Sequence, residues 1–156
     1  MTDLRLIETG NGGDLVLNKS DLGIVEGFTS MHYLALFGGN IEQNTPTTRL
    51  TSSQYFDFWG NELFHPNNSS LQFNSNTERT LQEVVLNSQG RVRIEQAVYS
   101  DLAFMTDFCN IFVAVNLPSI DRVEIRVRLT EKTNQQVRTY IYIWDRTKKE
   151  LTETIE

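Results

Sequence analysis

Between residues 91 and 144 the spacing of apolar side chains changes from three and four to two. That change requires a helix followed by strands. In residues 91–107, Ile94, Ala97, Val98, Leu102 and Met105 fall at helical steps, while Arg93, Glu95, Gln96, Ser100, Asp101 and Asp107 fill the other side. This is a helix with one buried stripe. Gly90 is expected to separate it from the segment before. Residues 111–115 (Ile-Phe-Val-Ala-Val) then form a short apolar, β-branched run. Val123, Ile125, Val127 and Leu129 alternate with Glu124, Arg126 and Arg128; Val137, Thr139, Ile141 and Ile143 alternate with Arg138, Tyr140, Tyr142 and Trp144. Alternation places one face of each strand on a core and the other elsewhere. The polar links at 116–122 and 130–136 suit hairpin loops. The expected result is a helix lying on a three-stranded antiparallel meander, with Val137, Thr139, Ile141 and Ile143 inward. Arg126, Arg128, Arg138, Tyr140, Tyr142 and Trp144 are then the outer face and the candidate partner-binding residues.

The chain upstream divides by its punctuation. Residues 1–27 predict a hairpin, with 14–17 and 22–25 flanking the turn-forming Asn18, Lys19, Ser20 and Asp21. Residues 28–40 predict a short helix capped by Thr29 or Ser30, with Met31, Leu34, Ala35 and Phe37 inward, stopped by Gly38 and Gly39. Residues 41–74 are polar and irregular except for Tyr55, Phe56, Phe58 and Trp59, a dense aromatic patch and a second candidate partner-binding site. In 75–107 two helices are expected, the first opened by a Ser75–Glu78 capping box and using Leu81, Val84 and Val85. The meander follows over 110–145, and 146–156 is expected to fray as a tail. The whole reads as one α+β domain over 1–156: an N-terminal β-hairpin, a short helix, and two further helices packed on a C-terminal three-stranded antiparallel meander.

Composition narrows the function. No apolar run approaches the roughly 20 residues of a membrane span, so no membrane partner is expected. The opening residues have neither the basic nor the apolar part of a secretory leader. One cysteine, Cys109, allows no internal disulfide and is expected to be a buried thiol. Net charge is −6, but residues 119–149 carry eight Lys and Arg against four Asp and Glu, a net of +4 that leaves −10 on the rest. An acidic body with a basic sheet favours association with acidic partners or with further copies.

Chemistry finds little to work with. Of the candidate acids, Glu62 has no acidic neighbour in sequence, and Glu95 and Asp101 are six residues apart on different helix faces. A glycosidase needs two carboxyl groups about 5–9.5 Å apart. His32, His65 and Cys109 are scattered without metal-ligand spacing. No nucleophile elbow or phosphate loop is present. No enzyme activity, metal or cofactor is expected. A single-stranded nucleic-acid binder is the rival reading, since Arg126, Arg128, Arg138, Tyr140, Tyr142 and Trp144 would combine cations with stacking rings. The sequence pI of about 4.9 opposes it.

Three motifs occur in order. "GGDLVLNKSDLGIVEG" (12–27) resembles the opening of the Mu-type phage tail baseplate family. "FWGNELF" (58–64) is similar to that family's Trp-Gly-Asp-Glu-Leu element, with Asn61 in place of Asp. "IEQAVYSDLAFMTD" (94–107) resembles its Asp-Leu-Ala-Trp helix, with Phe104 in place of Trp, and "DRVEIRVRL" (121–129) resembles the strands that follow. The resemblance spans roughly 4–145, with 45–55 an insertion relative to the family. It implies a structural protein of the virion, assembled in the host cytoplasm into the baseplate of a contractile tail, among sheath initiators and lysozyme-like wedge proteins. The implied partners are baseplate hub and wedge proteins and the tail sheath protein, in multiple copies, six per particle. The implied mechanism is nucleation of the first sheath ring by β-augmentation.

Overall fold

A strand with a two-residue apolar period needs neighbours to satisfy its backbone, and the C-terminal half of this chain supplies them itself. The computed structural model describes residues 2–8, 13–26, 29–38, 75–148 and 150–155. Strands β7 (Cys109–Ser119), β8 (Arg122–Glu131), β9 (Val137–Asp145) and β10 (Glu150–Ile155) form one antiparallel sheet in the order β10-β9-β8-β7. The sheet therefore has four strands where three were expected. The segment expected to fray is its fourth, pairing Leu151 with Trp144 and Thr154 with Ile141. Asp145 makes the turn: its Oδ1 accepts the backbone N–H groups of Thr147 and Lys148, each at 3.1 Å. An aspartate at a turn start does this by mimicking a backbone acceptor. The charges of 146–150 hide the alternation of Leu151, Thr152, Glu153, Thr154 and Ile155.

Strand β9 has the opposite phase to the one expected. Its register with β8 sets Tyr140 opposite Val127, Tyr142 opposite Ile125 and Trp144 opposite Val123. Val123, Ile125 and Val127 are fully buried, and so are Tyr140 and Tyr142. Trp144 is half-buried against the same cluster. The tyrosines thus form the core, and Ile141 and Ile143 lie on the outer face. Both phases of β9 alternate, so periodicity alone could not choose between them. A one-residue slip exchanges the faces completely. The aromatic set buries far more area per residue.

Helices cover that core face. Helix α1 (Thr29–Phe37) lays the His32 ring on Tyr140, with centroids 3.8 Å apart, and Phe37 on Tyr142 at 4.9 Å. The extent of the helix was legible. Its inward face is His32, Tyr33, Ala35 and Leu36, with Met31, Leu34 and Phe37 only partly buried. Helix α2 (Asn76–Glu83) opens on Ser75, whose Oγ accepts the Glu78 N–H at 3.2 Å and donates to the carbonyl of Leu36. The expected cap is therefore present, and it also joins α2 to α1. Leu81 and Val84 are buried, whereas Val85 is exposed. Helix α3 (Ser88–Asp101) and a 3-10 turn (Ala103–Asp107) bury Ile94, Ala97, Val98, Leu102 and Met105, the whole expected stripe.

Gly90 is not a separator but a member of the first turn of α3. Asn87 caps that turn, its Oδ1 accepting the Gly90 N–H at 2.8 Å. A Cβ at Gly90 would overlap the carbonyl oxygen of Val85. At the other end of α3, Asp101 ties the two helices together. Its carboxylate accepts the N–H and side-chain amide of Asn76 and the N–H and hydroxyl of Thr77, at 2.7–3.1 Å. Burial pushes this carboxyl up from its ordinary value, against the four donors that favour the ionised form.

The N-terminal part is a trio of two-stranded arms. β1 (Thr2–Leu4) pairs with β6 (Ile24–Glu26), β2 (Leu6–Glu8) with β3 (Gly13–Leu15), and β4 (Leu17–Asn18) with β5 (Asp21–Leu22). The expected hairpin turn is at 18–21, with Lys19 at φ 62°. The Ser30 hydroxyl donates to the carbonyl of Leu4 and fixes the arms to α1; β10 lies beside β2.

Two stability outcomes follow from α3. Gly→Ala within a helix ordinarily stabilises by about 0.5–1 kcal/mol. Gly90→Ala should instead destabilise by about 1–3 kcal/mol, because the clash is with backbone. Asp101→Asn turns an acceptor into a donor facing donors, and should cost about 1–3 kcal/mol. Urea denaturation of each variant measures both.

Candidate functional site

The outer face of the sheet is built by the residues that alternate with the core. From β7 it takes Asn110, Phe112, Ala114 and Asn116; from β8, Glu124, Arg126 and Arg128; from β9, Val137, Ile141 and Ile143. Phe112 is 50% exposed and Val137 55%, while Ile141 is buried at 9%. The Arg128 guanidinium lies over the Phe112 ring, 4.9 Å from its centroid. Such stacking holds an arginine flat while leaving its N–H groups outward. Arg126 reaches Glu124 at 3.7 Å, and Asn116 donates to the same Oε1 at 3.3 Å. These are exposed contacts worth little in isolation. The surface therefore mixes planar cations with apolar groups.

Only part of the expected site is brought together. Arg126 and Arg128 share this face. Tyr140, Tyr142 and Trp144 do not, because they face the helices, and Arg138 is on their side of β9. Tyr55, Phe56, Phe58 and Trp59 lie outside the described residues. Phe112 was missed, hidden in an apolar run. Asn110 and Asn116, of the same parity, mark its face and could have exposed it.

The sheet has two rims. β10 covers the rim that β9 would otherwise present. On the β7 rim no further strand pairs among the described residues, and the Tyr99 hydroxyl accepts the Val113 N–H at 3.1 Å. Ile111 and Val115 share the parity of Val113, so their backbone groups point to the same rim.

Titratable groups elsewhere serve structure. Glu95 pairs with Arg91 at 3.1 Å, and Asp101 is held by the start of α2. Cys109 is buried, and burial, then Glu131, pushes its thiol up from its ordinary value. His32 is wholly buried against Tyr140. Among the described residues no group of three His, Cys, Asp or Glu could hold a metal. Glu62 and His65 lie outside those residues. A cleft lined by Pro118, Arg122, Asp145 and Lys148 includes the Arg122–Asp145 pair, 3.3 Å apart.

No family model, no curated protein and no solved structure matches the chain.

The backbone N–H of Lys148, then Arg122 and the N–H of Thr147, hold the Asp145 carboxyl below its ordinary value. The stabilisation is complete above the unfolded value of about 3.9 and is lost as pH falls through the lower folded value. A carbon-detected NMR titration should place Asp145 below the ordinary aspartate value. Asp145→Asn should flatten the acid limb of the stability profile.

Proposed function

We propose that this chain is a structural subunit of a contractile phage tail baseplate, linking hub and wedge to the first sheath ring, with no catalytic role. The observation that carries the reading is the outer sheet face, where Arg126 and the Arg128–Phe112 stack sit among exposed aliphatic side chains. Arginine and aromatic residues in an apolar setting are what protein interfaces concentrate. The resemblance of residues 12–27, 58–64 and 94–107 to the Mu-type baseplate family supplies the setting. β-Augmentation in this reading uses the β7 rim, where the backbone of Ile111 and Val115 faces outward.

The nucleic-acid reading loses its support. Its stacking rings were Tyr140, Tyr142 and Trp144, and these are packed in or against the core. Phe112 alone among the aromatic residues of β7, β8 and β9 is exposed on the arginine face.

Because β9 is an internal strand, the surface has to be probed by substitution and not by deletion. Arg126→Glu combined with Arg128→Glu should leave the fold intact and reduce sheath polymerisation on purified baseplate protein by about tenfold or more, counted by electron microscopy. Unchanged seeding by the double variant would refute the docking role of the face. Salt-sensitive retention of oligonucleotide by the wild type would favour the rival.

A further inference from the structure

The three N-terminal arms meet at one point. The Arg5 N–H donates to Gly23 O at 2.8 Å, the Val16 N–H to Arg5 O at 3.0 Å, and the Gly23 N–H to Val16 O at 2.6 Å. A Cβ on Gly23 would come within 2.9 Å of Val16 O, so the centre of the junction has no room for a side chain there. The residues that flank the junction are Leu4, Leu15, Leu17, Leu22 and Ile24. Leu4 pairs with Ile24 and Leu17 with Leu22. The members of each pair share a side of their arm, and Leu15 and Leu17 flank Val16 as Leu22 and Ile24 flank Gly23, so the junction gathers all five. All five are exposed: Leu17 and Ile24 at 69%, Leu22 at 41%, Leu4 at 40% and Leu15 at 36%. A clustered aliphatic face in solvent marks an interaction site or an aggregation liability.

Charge indicates what covers it. Residues 2–26 hold Asp3, Glu8, Asp14, Asp21 and Glu26 against Arg5 and Lys19, a net of −3. The outer sheet face presents Phe112, Val137 and Ile143 beside Arg126 and Arg128, with Glu124 the acid of β8 on that face. Arm against arm would bring −3 to −3, and sheet against sheet would bring arginine to arginine. Arm against sheet buries apolar area on both sides and pairs opposite charge. Both faces are exposed in the single chain, so neither covers the other within one copy.

We propose that the aliphatic face of the N-terminal arms of one copy docks on the outer sheet face of the next, so that the chain assembles head to tail with itself. This rests on the reading of the sheet face as a protein-docking surface and names its occupant. A heterologous contact of this kind closes into a ring or extends as a filament.

The test uses the full chain and two surface variants, Leu17→Lys with Ile24→Lys on the arms and Arg126→Glu with Arg128→Glu on the sheet. Circular dichroism checks that each is folded. In sedimentation velocity over a concentration series, the wild type should associate beyond dimers and dissociate with added salt. Each variant alone should self-associate at least about tenfold more weakly. An equimolar mixture of the two should form dimers and nothing larger, since only one intact arm meets one intact sheet. A wild type that stays monomeric overturns the inference. A sheet variant that still associates does so too, because it joins through its arms alone. A mixture that stays monomeric excludes the head-to-tail contact. Sheath seeding read in parallel separates the two proposals: an arm variant that seeds normally beside a monomeric wild type removes self-association and leaves the sheet face as a dock for other proteins.

Discussion

The fold depends on which side of β9 meets the helices. Tyr140 and Tyr142 are wholly buried between β8 and α1, where His32 and Phe37 pack on their rings. Once these two rings are inside, the two-residue period of the strand decides the rest. Ile141 and Ile143 turn outward, the register with β8 turns Arg126 and Arg128 outward beside them, and the register of β8 with β7 adds Phe112. One packing choice therefore makes the core and the exposed face together, because alternate residues on a strand cannot share a side.

The helices are held to that sheet by few but specific polar contacts. Ser75 joins α2 to the end of α1, and Asp101 joins the end of α3 to the start of α2. Both satisfy backbone groups that helix termini otherwise leave without partners. Around these contacts the apolar stripe of α3 lies on β7, and the resulting layer of helices covers a single face of the sheet. Helix-on-sheet packing of this kind leaves the opposite face to solvent or to another molecule.

Much of this was legible in the residues. Every member of the α3 stripe is buried, the Ser75–Glu78 cap is in place, and the turn at 18–21 falls where Asn18 and Asp21 flank it. What was not legible has physical causes. Both phases of β9 alternate, and tyrosine carries a polar tip on a large apolar ring, so a hydropathy reading sends it the wrong way. β10 was hidden by lysines and threonines that give no strong period on their own, and it becomes a strand because β9 offers it a ladder. Gly90 was read as a stop, since a close approach to Val85 cannot be seen in sequence. The candidate site inherited these errors: Arg126 and Arg128 lie on the outer face as expected, Arg138 lies on the opposite side with the tyrosines, and the exposed ring of the outer face is Phe112.

In the proposed reading the two faces of the sheet have opposite fates: the inner aromatic face stays closed by the helices, and the outer arginine and Phe112 face is covered by a neighbouring polypeptide. Hydroxyl-radical footprinting of free and assembled protein reads both at once. Tyr140 and Tyr142 should resist oxidation throughout, while Phe112 and Ile143 should be oxidised in the free chain and protected on assembly. Oxidation of Tyr140 and Tyr142 in the folded free chain, or of Phe112 to the same extent in both states, would contradict it.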